Sequence, residues 1–289
     1  MLSNNGSGPR APARSLPFGA KRRWPFVVLA LLLMLVVAAA AGALLSSRRL
    51  AGSLPVRYPI LGLAAMPAGF IVATEGALFT SADGKSWSDQ SAFRGKRTLA
   101  VSGVGGKGVV WSEGKFVETS NLRTFTPISP GPRRLVALAS GPDDALYLSQ
   151  GPGHLIVQPP AGVARTIKLA HGPREIIALD AAAGPDSPIL FAGGLTSGVW
   201  RSSHPDVSWR QVLKTPVRAI LVDDQDPRTV FLATSGGILV THDQGESWTF
   251  TSLRVPTEAM SALGGKFYAL TQDRRLYAST DGAVWQPIS

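Results

Sequence analysis

Three stretches of this chain repeat one pattern, and their spacing limits the possible folds more than any other feature. They run Gly76-Ala-Leu-Phe-Thr-Ser-Ala-Asp-Gly-Lys-Ser-Trp87, Gly237-Ile-Leu-Val-Thr-His-Asp-Gln-Gly-Glu-Ser-Trp248 and Arg275-Leu-Tyr-Ala-Ser-Thr-Asp-Gly-Ala-Val-Trp285. Two degenerate copies close on Phe125 and Trp209. The closing aromatics are spaced by 38, 84, 39 and 37 residues. The long interval halves into two of 42, which places a hidden repeat near Thr166 and Ile167, where 154–158 and 164–168 fit as strand, turn, strand. Six repeats of about 39 residues then fill 58–289.

Each repeat reads as four short strands. In the fifth, Ala219–Val222, Thr229–Ala233, Ile238–Thr241 and Trp248–Thr251 are rich in β-branched and aromatic residues and are separated by Asp, Pro and Gly turns. Four-stranded units at this period predict an all-β domain, a six-bladed β-propeller whose closure protects the sheet edges. A seventh blade would change the count, and residues 46–57 are too few to supply one. Ring closure has two solutions: residues 54–60 pair with the outer strand after Trp285, or each blade is complete in itself.

The repeated motif has a mechanical explanation. An Asp carboxylate accepts backbone N–H bonds inside a turn, Gly supplies positive φ, and Trp buries a large ring that pins the hairpin. Ser81, Asp83, Gly84 and Trp87, then Asp243, Gly245 and Trp248, then Asp281, Gly282 and Trp285 are therefore assigned to structure and not to catalysis. These segments resemble the Asp-box (bacterial neuraminidase) repeats of sialidases, sortilin-type propellers and the photosystem II assembly/stability factor family. Asp226-Pro-Arg-Thr-Val-Phe-Leu-Ala-Thr followed by 241–248 carries the likeness best. The resemblance implies a propeller fold and leaves the function open, because such repeats form a scaffold on which different sites are built.

The chain ahead of the repeats has a different character. Residues 1–24 contain no acid and five cations, with a composition suited to disorder. From Phe26 to Leu45 no residue is charged, which is long enough for a transmembrane helix, with Trp24 as an interfacial anchor. The expected organisation is a basic cytoplasmic tail (1–24), a membrane helix (25–45), a linker (46–57) and an extracytoplasmic propeller (58–289) on a single-pass inner-membrane protein. A cleaved secretory signal is the rival reading, since Ala41-Gly42-Ala43 has the small-x-small form. Of the net charge of +10, +8 flanks the apolar run, while 58–289 hold 21 basic against 19 acidic residues. The high charge is therefore no argument for nucleic-acid binding.

A search for chemistry finds little. The sialidase resemblance would require three arginines on the substrate carboxylate, a Tyr nucleophile with a Glu partner, an Asp acid and an Arg-Ile-Pro signature; that tripeptide is absent, Val56-Arg-Tyr-Pro-Ile60 being the nearest sequence, and Tyr is scarce. The four His show no ligand spacing, Cys is absent, and Asp223, Asp224 and Asp226 read as a solvated turn. No cofactor, metal, nucleic acid or small-molecule substrate is expected. One positional pattern remains. Aligning the innermost strands puts Arg97, Arg134 and Arg218 at one offset with Arg174 a residue away, so these side chains converge on one mouth of the channel. Strand-end cations that snorkel into solvent are the plain account; a docking patch for an acidic or carboxylate-bearing partner is the functional one. The resulting expectation is a non-enzymatic, membrane-anchored propeller that scaffolds, assembles or stabilises a larger membrane protein complex. A photosynthetic reaction centre or similar energy-converting complex is what the family resemblance implies. The alternative is a surface receptor or lectin, and then a sialidase-like glycosidase.

Overall fold

The computed structural model describes residues 54–288 apart from 56, 103–105, 170, 186 and 205–207. The expected tail, the membrane helix with Trp24, Phe26 and Leu45, and most of the linker lie outside the described residues. Among the described residues no helix is long and apolar enough to cross a membrane.

Six four-stranded antiparallel sheets follow one another along the chain. Blade 1 comprises β1 (Ile60–Met66), β2 (Gly69–Thr74), β3 (Leu78–Ser81) and β4 (Ser88–Asp89). Blade 2 comprises β5 (Thr98–Ser102), β6 (Gly108–Ser112), β7 (Lys115–Thr119) and β8 (Thr126–Pro130). Blade 3, the hidden repeat, comprises β9 (Ala137–Ser140), β10 (Leu146–Ser149), β11 (His154–Gln158) and β12 (Arg165–Lys168). Blade 4 comprises β13 (Ala178–Ala182), β14 (Ile189–Gly194), β15 (Gly198–His204) and β16 (Ser208–Leu213). Blade 5 comprises β17 (Ala219–Val222), β18 (Val230–Thr234), β19 (Gly237–Thr241) and β20 (Thr249–Phe250). Blade 6 comprises β21 (Thr257–Leu263), β22 (Lys266–Thr271), β23 (Leu276–Ser279) and β24 (Gln286–Pro287).

Strands pair in chain order within every blade, so each blade is one contiguous meander, as the second closure solution requires. The first strands of all six line a central channel. This topology gives the disc two faces. The link face holds the starts of the first strands, the turns between second and third strands, and the links between blades. The Asp-turn face holds the other two hairpin turns of each blade, including the repeated motif.

The core is divided among the blade junctions. Each hydrophobic cluster draws on two adjacent blades: Leu99, Trp111 and Phe116 pack with Leu138 and Leu148, and Leu155 and Ile167 pack with Leu190 and Trp209. Sheets covered on both faces explain why the second strands are near-continuous apolar runs; β2 and β18 are buried throughout. Outer strands β4, β20 and β24 are short and exposed, which limits edge-to-edge pairing.

The closing aromatics do more than pin their own hairpins. Trp87 of blade 1 packs with Leu270 and Leu276 of blade 6, and Trp285 of blade 6 packs with Phe231 of blade 5. Trp248 lies against the cluster shared by blades 4 and 5. Each ring is a wedge between its own blade and the preceding one. The glycines of the motif serve the same junction. Gly84, Gly245 and Gly282 have φ of +74°, +93° and +71°, and a Cβ on Gly282 would fall 2.4 Å from Phe231 Cζ of the preceding blade. In the degenerate second repeat Leu122 takes the left-handed conformation (φ 62°) and buries its side chain against blade 1.

The ring closes through residues 54–59. Leu54 is buried with blades 1 and 6 and donates its N–H to the Arg274 carbonyl at 2.9 Å. The Glu75 N–H donates to the Pro59 carbonyl at 3.1 Å. This segment clasps two turns of the link face and adds no strand to blade 6.

Candidate functional site

At the repeated turns, three short hydrogen-bond systems account for the Ser/Thr and Asp positions of the motif. Asp83 Oδ1 accepts from the backbone N–H of Lys85 and Ser86 at 2.8 and 2.7 Å, and Ser81 Oγ accepts from Gly84 N–H at 2.8 Å. Asp281 accepts from Ala283 and Val284 N–H, both at 2.9 Å. Asp243 binds Ser247 N–H and the Ser247 and Thr241 hydroxyls. These donors hold all three carboxyls below the ordinary Asp range: Asp83 reaches about 2, chiefly through Ser86 and Lys85 N–H. Asp243 is lowered chiefly by the Ser247 and Thr241 hydroxyls, Asp281 by Val284 and Ala283 N–H. A carboxylate that firmly ionised is a turn anchor and a poor general acid.

The central channel has a volume of about 320 Å³. Its waist is apolar, with Leu63, Leu99, Leu138 and Ile220 among the lining residues. On the link face, Arg97 and Arg218 line it together with Glu258. Each arginine meets a carboxylate from a neighbouring blade. Arg97 Nη1 contacts Glu75 Oε2 at 2.9 Å, and Arg218 Nη1 contacts Glu258 Oε2 at 3.3 Å. Arg134 and Arg174 are exposed on the links that lead into blades 3 and 4 and do not line the channel. The four aligned arginines thus split into two neutralised residues at the mouth and two outside it. Arg133, also exposed, stands beside Arg134, and none of Arg133, Arg134 and Arg174 has a carboxylate within ion-pair reach among the described residues.

The neutralised pair belongs to a broader asymmetry. The links, the second-to-third-strand turns and residues 54–59 carry twelve Lys and Arg against four Asp and Glu. Among the described residues, the turns of the opposite face carry four against nine. The small net charge of the propeller hides a disc polarised through its thickness.

The other end of the channel holds polar residues that the sequence reading left out. Ser102 and Ser261 hydroxyls lie 2.7 Å apart and both accept from Ala65 N–H, tying blades 6, 1 and 2 together. Ser140 of blade 3 donates to the Ser102 carbonyl. Asp180 of blade 4 accepts from Val222 N–H of blade 5 at 2.7 Å and from Ala181 N–H at 2.9 Å. Burial pushes the Asp180 carboxyl up to about 7 against the pull of those two donors, with Asp224 adding repulsion. Asp224 itself is raised by burial and by Asp223. In the alignment that picked out the arginines, Ser102 and Asp180 share an offset one residue past the reference position. That coincidence was the available signal. The His residues stay dispersed, and among the described residues no group of three or more His, Cys, Asp or Glu is placed to hold a metal ion.

These features define the chain as a six-bladed propeller of complete four-stranded blades with a basic link face. No family model and no curated protein matches the sequence. Solved structures of similar shape include YCF48 bound to a D1 peptide, at TM-score 0.53 and 15% identity over 78% of this chain and 81% of that one. A propeller assigned to the gluconolactonases gives TM-score 0.59 and 13% identity over 83% and 91%. A gluconolactonase from Xanthomonas campestris gives 0.57 and 12% over 76% and 85%. At these identities the likeness shows the fold alone. It nevertheless overturns the expectation of a non-enzymatic protein: neighbours matched over most of their length bear an enzyme's name, so the architecture supplies no ground for excluding catalysis.

Proposed function

We propose that this protein is a membrane-tethered propeller that binds an acidic or carboxylate-bearing segment of a protein partner on its link face, and so assembles or stabilises a larger membrane complex. The carrying observation is the group Arg133, Arg134 and Arg174: exposed, close to the channel mouth, and without carboxylate partners among the described residues. Guanidinium forks free of internal ion pairs are suited to carboxylate recognition. The fold-level likeness to a propeller that holds a peptide agrees with this reading. In finer detail, the repeats are of the Asp-box kind, and the propeller lies on the extracytoplasmic side of the inner membrane. The test is gentle detergent extraction of the full chain followed by identification of co-purifying membrane proteins. A stoichiometric partner that is lost on combined R133E, R134E and R174E substitution is the expected result. Unchanged recovery would sink the reading.

A second reading rests on Asp180, a carboxyl in the channel whose protonation midpoint lies near neutrality, as an acid–base group should. Together with the gluconolactonase neighbours it suggests lactone or ester turnover in the channel. Hydrolysis of a chromogenic ester by the full chain, abolished by D180A, would establish it.

A further inference from the structure

The link face is not uniform. The links into blades 3 and 4 present Arg133, Arg134 and Arg174, and the large apolar residues exposed near them are dispersed, Ile128 on the outer strand β8 and Leu195 in the turn bound by Glu175. The sector from blade 4 round to blade 1 has a different chemistry. Leu195 and Val255, in a turn of blade 4 and the link into blade 6, are 43% and 36% exposed, and Phe250 and Tyr58 are 43% and 48% exposed. They are four of the seven large hydrophobic residues exposed among the described residues, and all four lie on or beside the link face. Cations are interleaved with them. The Arg254 guanidinium lies 4.2 Å from the centre of the Phe250 ring, Lys214 is exposed on the neighbouring link, and Arg274 donates to the Tyr58 carbonyl.

The chain joins the propeller in this same sector. Leu54 is held by Arg274, and the Tyr58 ring lies against Gly76. Eight residues separate Leu45, where the apolar run ends, from Leu54. Fully extended they reach about 30 Å at most, so a helix anchored up to Leu45 would keep this sector close to the bilayer surface. Aromatic and aliphatic side chains alternating with Lys and Arg are the composition that settles at an anionic interface, the rings among the headgroups and the cations on the phosphates.

We propose that the sector formed by Tyr58, Leu195, Lys214, Phe250, Arg254 and Val255 rests on anionic lipid headgroups, turning the link face to the membrane and the acidic Asp-turn face away from it. This rests on the anchor reading of residues 25–45 but makes a separate claim about orientation. The absence of cysteine allows a direct test. The full chain is reconstituted with a donor fluorophore on Ser235→Cys (link face) or Lys266→Cys (opposite face) and an acceptor on the headgroups. In vesicles containing phosphatidylglycerol, transfer from position 235 should exceed that from 266 by about two-fold or more, and the difference should shrink in pure phosphatidylcholine, in high salt, or with K214E/R254E. Equal transfer from both positions, or a difference indifferent to lipid charge, would overturn the proposal. An alkaline carbonate wash separates the two readings. A chain that stays in the vesicles but gives equal transfer retires the orientation and keeps the anchor. A chain that is stripped, yet sediments with anionic vesicles in low salt, retires the anchor and keeps the lipid-binding sector.

Discussion

The two faces of the disc are built from the same repeat and use their charges in opposite ways. On the Asp-turn face the carboxylates of Asp83, Asp243 and Asp281 are consumed by the turn, each bound by nearby backbone N–H groups. On the link face Arg133, Arg134 and Arg174 bind no carboxylate among the described residues. One face is fixed by local geometry that recurs; the other is assembled from links of five to nine residues that differ from blade to blade. Regular spacing therefore marks structure here, and irregular surface charge marks where binding is to be sought.

The channel wall breaks this simple division, and the largest expected effect tests it. Asp180 and Asp83 both sit at the Asp-turn end of their blades, yet burial raises one to about 7 while N–H donors lower the other to about 2. The signs are opposite. A group whose folded pKa is raised gives stability that is full below the ordinary Asp range and lost as pH rises through about 7. A lowered group gives stability present above the ordinary range and lost as pH falls towards 2. Between pH 4 and 8 Asp180 dominates, so unfolding free energy should fall by up to about 4 kcal/mol across that range. Denaturant titrations at pH 5 and 8 would show this. In D180N most of the slope should vanish, leaving the share of Asp224, whose carboxyl is also raised, at the expense of one acceptor for Val222 or Ala181 N–H. An undiminished slope in D180N would place its origin elsewhere.

Next in size is the glycine at the junction of blades 5 and 6. Gly282→Ala combines a left-handed backbone with a Cβ driven into Phe231, which is buried between Phe267 and Trp285. A loss of about 3 kcal/mol is expected. Gly84→Ala should cost less, because the atom it meets is a methyl of Leu276 that can rotate away. Thermal melts of the two variants should rank in that order. Equal melting points would mean that backbone conformation alone, and not contact with the preceding blade, sets the requirement for glycine.

These contacts mark the boundary of what the sequence discloses. Local order along the chain was legible: the spacing of the closing aromatics yields six blades, and the halved interval finds β11 and β12 where no boxed residue survives. The turn chemistry of Asp83, Asp243 and Asp281 was legible too, since every bond it needs falls within four residues. Relations between blades were not. Nothing in the spacing says that Gly282 touches Phe231, 51 positions away in the chain, or that Trp87 lies against blade 6. The alignment found Arg97 and Arg218 on one mouth, but their neutralising acids, Glu75 and Glu258, come from other blades at unrelated offsets. Ring closure was undecidable for the same reason: the clasp at 54–59 depends on Arg274 at the far end of the chain.

A smaller effect tests the staples at the Asp-turn end of the channel. Ser261→Ala removes one of the two hydroxyls that accept from Ala65 N–H and leaves Ser102 in place. The expected cost is about 1 kcal/mol. Removing both in S102A/S261A leaves a buried N–H without an acceptor and should cost more than the sum of the singles, a departure that a double-mutant cycle would measure. Simple additivity would show that the two hydroxyls act independently and that blades 6, 1 and 2 are not joined through them.

The smallest stability effect is the most useful for function. R133A, R134A and R174A each remove an exposed side chain with no ion pair to break among the described residues, so the shift in stability should stay below about 0.5 kcal/mol per site. R218A is the control on the same face. It strands Glu258, whose side chain is only 12% exposed, and should destabilise the fold more than any of the three. Calorimetry of the four variants would establish this ranking before any binding is measured. If it holds, loss of a partner in the R133, R134 and R174 variants reports recognition directly, whereas loss in R218A is confounded by weakened structure. If instead the three exposed substitutions destabilise the fold as R218A does, the link face is held together by its charges in the same way as the opposite face, and the contrast between the two fails.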